Sequence, residues 1–121
     1  MKNLLMLMAA SVLAGQIPAA EAQGAPPSIS ASGQGDWEMI CHLVTGGDQS
    51  DAILGPDRSS YSNPRLQRAS CTYKSPSSAP LVITISGAGG CPFKGVNADA
   101  CVLTTSKGRA GSFELKVKAA R

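Results

Sequence analysis

Aromatic residues are scarce in this chain: Trp37, Tyr61, Tyr73, Phe93 and Phe113 make up 4% of its 121 residues. That scarcity excludes a core organised around packed rings and leaves Val, Ile, Leu and Ala to fill it. A core of that kind in a small domain is thin, so cross-links matter to it. Histidine occurs once, as His42. None of the four cysteines stands at C-x₂₋₄-C spacing from another, which argues against a structural zinc site and against a C-x-x-C redox pair. The serine-nucleophile signatures G-x-S-x-G and S-x-x-K are both missing. Gly87-Ala88-Gly89-Gly90 is not a phosphate loop. Pro92 stands where the dinucleotide pattern requires glycine, and no Gly-Lys-Ser/Thr follows. Those glycines read instead as backbone that needs positive φ. Asp48, Asp51 and Asp57 lack the alternate-position oxygens and the closing Glu of a Ca²⁺ loop. No metal, no cofactor and no catalytic residue is expected, and the chain reads as a non-enzyme.

Long apolar runs are also few. The one present, Leu4–Ala14, follows Lys2 and Asn3 and leads through Gly15 and Pro18 to Ala20-Glu21-Ala22. A basic start, an apolar stretch and a small-x-small exit make residues 1–22 a secretory signal peptide. Gln16 stands where lipoprotein processing requires cysteine, so no lipid anchor is expected. No second stretch approaches the roughly 18–20 residues needed to cross a bilayer. The expected location is periplasmic or secreted, where disulfides persist. Asn63 is followed by proline and Asn97 by Ala-Asp, so neither opens an N-glycosylation site, which leans towards the periplasm.

Charge is divided along the chain. Between Gln23 and Pro64, Asp36, Glu38, Asp48, Asp51 and Asp57 face Arg58 alone, a net of −4. From Arg65 onward nine bases face Asp99 and Glu114, a net of +7, so the overall +3 hides a dipolar sequence. Such asymmetry suits an anionic partner.

Residues 23–35 (QGAPPSISASGQG) carry almost no bulky side chains, which predicts a flexible leader before a domain spanning 36–121. Trp37–Thr45 alternates with period two, placing Trp37, Met39, Cys41 and Leu43 on one face and Glu38, Ile40, His42 and Val44 on the other. Gly46–Asn63 reads as a long polar connection, within which Ala52-Ile53-Leu54 forms a short strand or a plug. Leu66–Lys74, Leu81–Ser86, Cys101–Thr105 and Ser112–Lys118 are further strands, separated by the Ser75–Pro80 turn, the Gly87–Asp99 loop and the Lys107–Gly111 turn. The fold class is all-β: a small, disulfide-stapled antiparallel sandwich or barrel of about five strands.

Four cysteines allow three pairings. Cys41 and Cys71 share inward strand faces, and Cys91 and Cys101 close the Gly-rich loop, so Cys41–Cys71 and Cys91–Cys101 are the expected disulfides. The chain-entropy model assigns ~3–4 kcal/mol to the longer closed loop and a little under ~3 kcal/mol to the shorter.

The residues that point to function are basic. Arg68 and Lys74 project from one strand, Lys116 and Lys118 from the last, and Lys107 and Arg109 crown a turn. If the two strands are neighbours, these six form one positive patch, bordered by the loop aromatics Tyr61 and Phe93. The expected function is a small exported, non-catalytic binding module: an inhibitor, an adaptor or an envelope-associated protein. Its partner is an envelope or extracellular protein, or an anionic polymer taken by the basic C-terminal face. Nucleic acid suits such a face chemically but not the compartment. A third reading, a small hydrolase, rests on His42 and Glu38, which lie on one strand face where a carboxylate can hold an imidazole for general-base work.

Overall fold

The computed structural model describes residues 25–93 and 101–118. The expected signal peptide, residues 1–22, and residues 94–100, which include the end of the expected Gly87–Asp99 loop, lie outside the described residues. All regular structure described is strand: β1 (Ser28–Ser32), β2 (Glu38–Thr45), β3 (Asp48–Leu54), β4 (Ser60–Ser62), β5 (Leu66–Lys74), β6 (Val82–Ser86), β7 (Val102–Thr104) and β8 (Ala110–Lys116). They form two four-stranded antiparallel sheets. Sheet I runs in the order β4-β1-β6-β7 and sheet II in the order β3-β2-β5-β8. The two sheets pack into a sandwich.

The core follows from the alternation. Met39, Cys41 and Leu43 of β2, Ala52 and Leu54 of β3, Ala69 and Cys71 of β5 and Leu115 of β8 are buried from sheet II. Ile29 and Ala31 of β1 and Ile83 and Ile85 of β6 meet them from sheet I. Trp37 and Leu81, just ahead of β2 and β6, complete the same cluster. Phe113 and Tyr73 are half-buried against it, their ring centroids 6.4 Å apart.

The fold has more strands than the sequence suggested, and each addition corrects a specific expectation. The flexible leader is part of the sandwich: Ser28–Ser32 pairs with both β4 and β6, and Ile29 is fully buried. Two apolar side chains suffice there because neighbouring strands supply the rest of the buried surface and both rows of backbone partners. The long polar connection is two strands. Gly46 and Gly47, at φ 59° and 94°, make the tight turn of a β2–β3 hairpin whose flanks pair from Thr45–Asp48 to Met39–Leu54. A side chain at Gly46 would collide with the Arg65 guanidinium, which lies over this turn. β3 escapes a composition-based reading because only Ala52 and Leu54 are buried in it. After a tight reversal between Gly55 and Arg58, the chain passes to β4 at the edge of sheet I.

β5 carries an irregularity that keeps Leu66 inside. The register shifts between Val44 and Thr45, which oppose Arg68 and Leu66, so Gln67 is an extra residue on β5. The bulge resets the alternation, and Leu66 is buried alongside Ala69 and Cys71 instead of facing water.

Both disulfides join the expected partners. Cys41 and Cys71 are directly opposed on β2 and β5 with Cα atoms 4.0 Å apart. That short spacing belongs to a non-hydrogen-bonded cross-strand pair. Cys91–Cys101 ties the loop leaving β6 to the start of β7, and no free cysteine remains. Two disulfides in a domain this small fit an oxidising compartment. The Gly-rich loop uses its glycines as expected: Gly87 and Gly89 have φ of 72° and 77°. At Gly87 a Cβ would strike the Pro26 carbonyl, so the loop seats directly on the segment entering β1.

Candidate functional site

Sheet II turns its outer face to solvent, and the register arranges that face in rows. Asp51, His42, Ser70 and Glu114 form one row across all four strands. Gln49, Val44, Arg68 and Lys116 form the next, and Ile53, Ile40, Thr72 and Ser112 lie on the other side of the first. A shallow, open depression of about 290 Å³ sits over the first two rows, lined by His42, Gln49, Asp51, Arg68, Ser70 and Glu114 among others. Almost every ionisable group of this face owes its exposure to the same alternation that buries the core.

β5 and β8 are neighbours, the condition for a basic patch, but the six bases do not form one patch. Arg68 and Lys116 are directly opposed in register. Lys74 is six residues from Arg68 along β5, about 20 Å at strand rise, and opposes Ala110. It lies near Arg109, whose carbonyl accepts from the Ser75 N–H at 2.8 Å, and near the turn containing Lys107. Lys118 lies beyond the end of β8, where its N–H donates to the Ala88 carbonyl at 2.9 Å and its stem runs beside Gly89. The positive charge is therefore split between the two ends of β5, with Glu114 between them. Local spacing could not show this, because patch geometry depends on which residues of β8 stand opposite which of β5.

The expected aromatic border is not there. Phe93 is buried and packs edge-on against Phe113 with ring centroids 5.1 Å apart. Tyr61 sits in β4 of sheet I, half-buried against the core and opposite Ile29. Both rings serve packing.

His42 has a different partner from the one expected. Its Nδ1 lies 2.7 Å from Asp51 Oδ1 on β3, while Glu38 is four residues away along β2 and opposes Lys74. Residues four apart on a strand are about 13 Å apart, beyond hydrogen-bond reach, so the His42–Glu38 pair does not form. The His42–Asp51 hydrogen bond is the one contact within 4 Å between a basic and an acidic side chain among the described residues, and its side chains are 70% and 62% exposed. The sequence signal that could have found it is the Gly46-Gly47 hairpin, which brings residue 51 opposite residue 42. Ser70 stands opposite His42 on the other side, but no side-chain hydrogen bond joins them among the described residues. No cluster of three or more His, Cys, Asp or Glu side chains suited to a metal occurs among the described residues.

No protein-family model matches this chain, and searches of curated proteins and of solved structures return no match.

Proposed function

We propose that this protein is a small, non-catalytic binding module of the periplasm or the extracellular space, and that it takes an anionic partner on the outer face of sheet II at Arg68 and Lys116. The observation that carries this reading is the cross-strand opposition of those two cations. Like charges directly opposite on one sheet face are destabilising, and no carboxylate lies within 4 Å of either among the described residues. An external anion between them relieves that repulsion and is bound in return. Exported chains meet carboxylated and phosphorylated envelope polymers as well as acidic protein surfaces, and either presents this chemistry.

The test is binding of the oxidised domain to immobilised dextran sulfate, with neutral dextran as control, across a salt series. Arg68→Glu with Lys116→Glu should weaken retention by about tenfold or more at low salt, and the wild-type affinity should fall steeply as salt rises. Unchanged retention in the double variant removes this pair as the site.

A further inference from the structure

Among the described residues no strand pairs with the outer edge of β3. β3 pairs with β2 through all seven of its residues without a bulge, and it contains no Pro, Lys or Arg. Native edges are ordinarily blunted by those residues, by irregularity or by being very short. The tight Gly46-Gly47 turn makes Thr45–Asp48 a hydrogen-bonded pair, and bonded pairs alternate from there. Cys41 therefore bonds β3 through Ala52 and stands unbonded towards Cys71, in agreement with their 4.0 Å Cα separation. By the same alternation the N–H and C=O groups of Gln49, Asp51 and Ile53 point away from β2. None of them makes a backbone hydrogen bond elsewhere among the described residues.

The side chains of these three residues stand on the outer face. Ile53 is 58% exposed, the large apolar side chain that the described surface leaves in water. Asp51 is held by His42 through Oδ1, and Asp48 stands at the turn end of the same edge. The edge is thus a ladder of open donors and acceptors with an acidic residue at its middle and an apolar one beside it.

We propose that this edge is a second binding site, which accepts an extended basic peptide strand from a partner protein by antiparallel β-augmentation. Charge selects the occupant. The two-fold pairing with a second copy that uses all three residues sets Asp51 against Asp51, which is repulsive. A lysine-bearing strand instead places its cation against Asp51 and an apolar side chain over Ile53. The charge division of the sequence agrees, since the segment from Gln23 to Pro64 that contains this edge is net −4. The site is separate from the Arg68–Lys116 pair, which would repel such a peptide.

The probe is a short capped peptide with a central lysine flanked by valine and threonine, compared with its glutamate counterpart. On saturation, the amides of Gln49, Asp51 and Ile53 should exchange about tenfold more slowly, with the β8 amides unchanged. Asp51→Lys should weaken binding by about tenfold. Ile53→Pro should abolish it without disturbing the hairpin, because the N–H it removes faces outward. Should that variant unfold, methylating the peptide nitrogens on its bonding side must abolish binding while methylating the alternate nitrogens must not. Equal affinity for the glutamate peptide, protection confined to another edge, or insensitivity to peptide methylation overturns the proposal. So does protection of these three amides that rises with protein concentration alone, since the occupant is then a second copy.

Discussion

The outer faces of the two sheets are built by one rule and differ in nearly every property. On sheet I the outward residues are Ser60 and Ser62 of β4, Ser28, Ser30 and Ser32 of β1, Val82, Thr84 and Ser86 of β6 and Val102 and Thr104 of β7. No charge stands among them, and the register sets hydroxyls beside hydroxyls: Ser62, Ser28 and Ser86 form one row and Ser60, Ser30 and Thr84 another. The Ser28 and Ser86 hydroxyls hydrogen-bond at 2.6 Å. On sheet II the corresponding positions hold Glu38, His42, Asp51, Arg68, Lys74, Glu114 and Lys116. Short hydroxyls close to the backbone suit a quiet surface, whereas long ionised side chains project a field to about a Debye length, near 8 Å in physiological salt. The sandwich thus separates a neutral face from an electrostatic one, and the binding proposals fall on sheet II for that reason.

Each sheet also has its own staple, and removing them gives the largest expected effects. Cys41→Ala with Cys71→Ala releases a pair 30 residues apart at the centre of sheet II, for a loss of ~3–4 kcal/mol in urea unfolding. A loss smaller than that from Cys91→Ala with Cys101→Ala, expected near ~2.7 kcal/mol from a separation of 10, would show that sheet I is the weaker half. Ile29→Ala tests whether sheet I depends on its first strand. The side chain is fully buried, so a loss of ~2–4 kcal/mol is expected, and a loss below ~1 kcal/mol would return Ser28–Ser32 to the status of a leader.

A smaller effect lies where the sheets are tied at one end. The buried hydroxyls of Ser75, after β5, and Thr105, after β7, hydrogen-bond to each other. Thr105 Oγ1 also lies 3.2 Å from both the N–H and the carbonyl of Leu81. Thr105→Val leaves the Ser75 hydroxyl unpaired in the core, at an expected cost of ~1–3 kcal/mol by thermal or urea melting.

The smallest effects separate the faces most sharply. Arg68→Glu with Lys116→Glu should change stability by less than ~0.5 kcal/mol while reducing dextran sulfate retention, because exposed charges contribute little to folding. Ser30→Ala with Thr84→Ala should leave retention unchanged, and a reduction would place the anion site on sheet I. His42→Ala, which removes an exposed hydrogen bond to Asp51, should cost less than ~1 kcal/mol.

Parity along single strands was legible from residue types alone. In Trp37–Thr45 the residues expected inside, Trp37, Met39, Cys41 and Leu43, are the buried ones, and the outward positions of His42, Arg68 and Lys116 were read by the same parity. The disulfide partners were legible too, since shared parity and loop proximity are local properties. Ser28–Ser32 was not, because its burial depends on β4 and β6, which come later in the chain. Of β3 only the Ala52-Ile53-Leu54 end was legible, as a short strand or a plug, because its solvated residues Asp48–Asp51 give no apolar signal and its place is set by the turn at Gly46 and Gly47.

What the chain determined by itself is therefore the period-two pattern, the all-β class, the cysteine pairing and the division of charge between its halves. Each follows from side-chain chemistry read over a few neighbours. Tertiary structure alone decided the cross-strand register. It set Arg68 against Lys116, gave His42 to Asp51 in place of Glu38, kept Leu66 inside through the Gln67 bulge and left the edge of β3 open. Register is a relation between segments distant in sequence, and a shift of one residue turns every side chain to the opposite face.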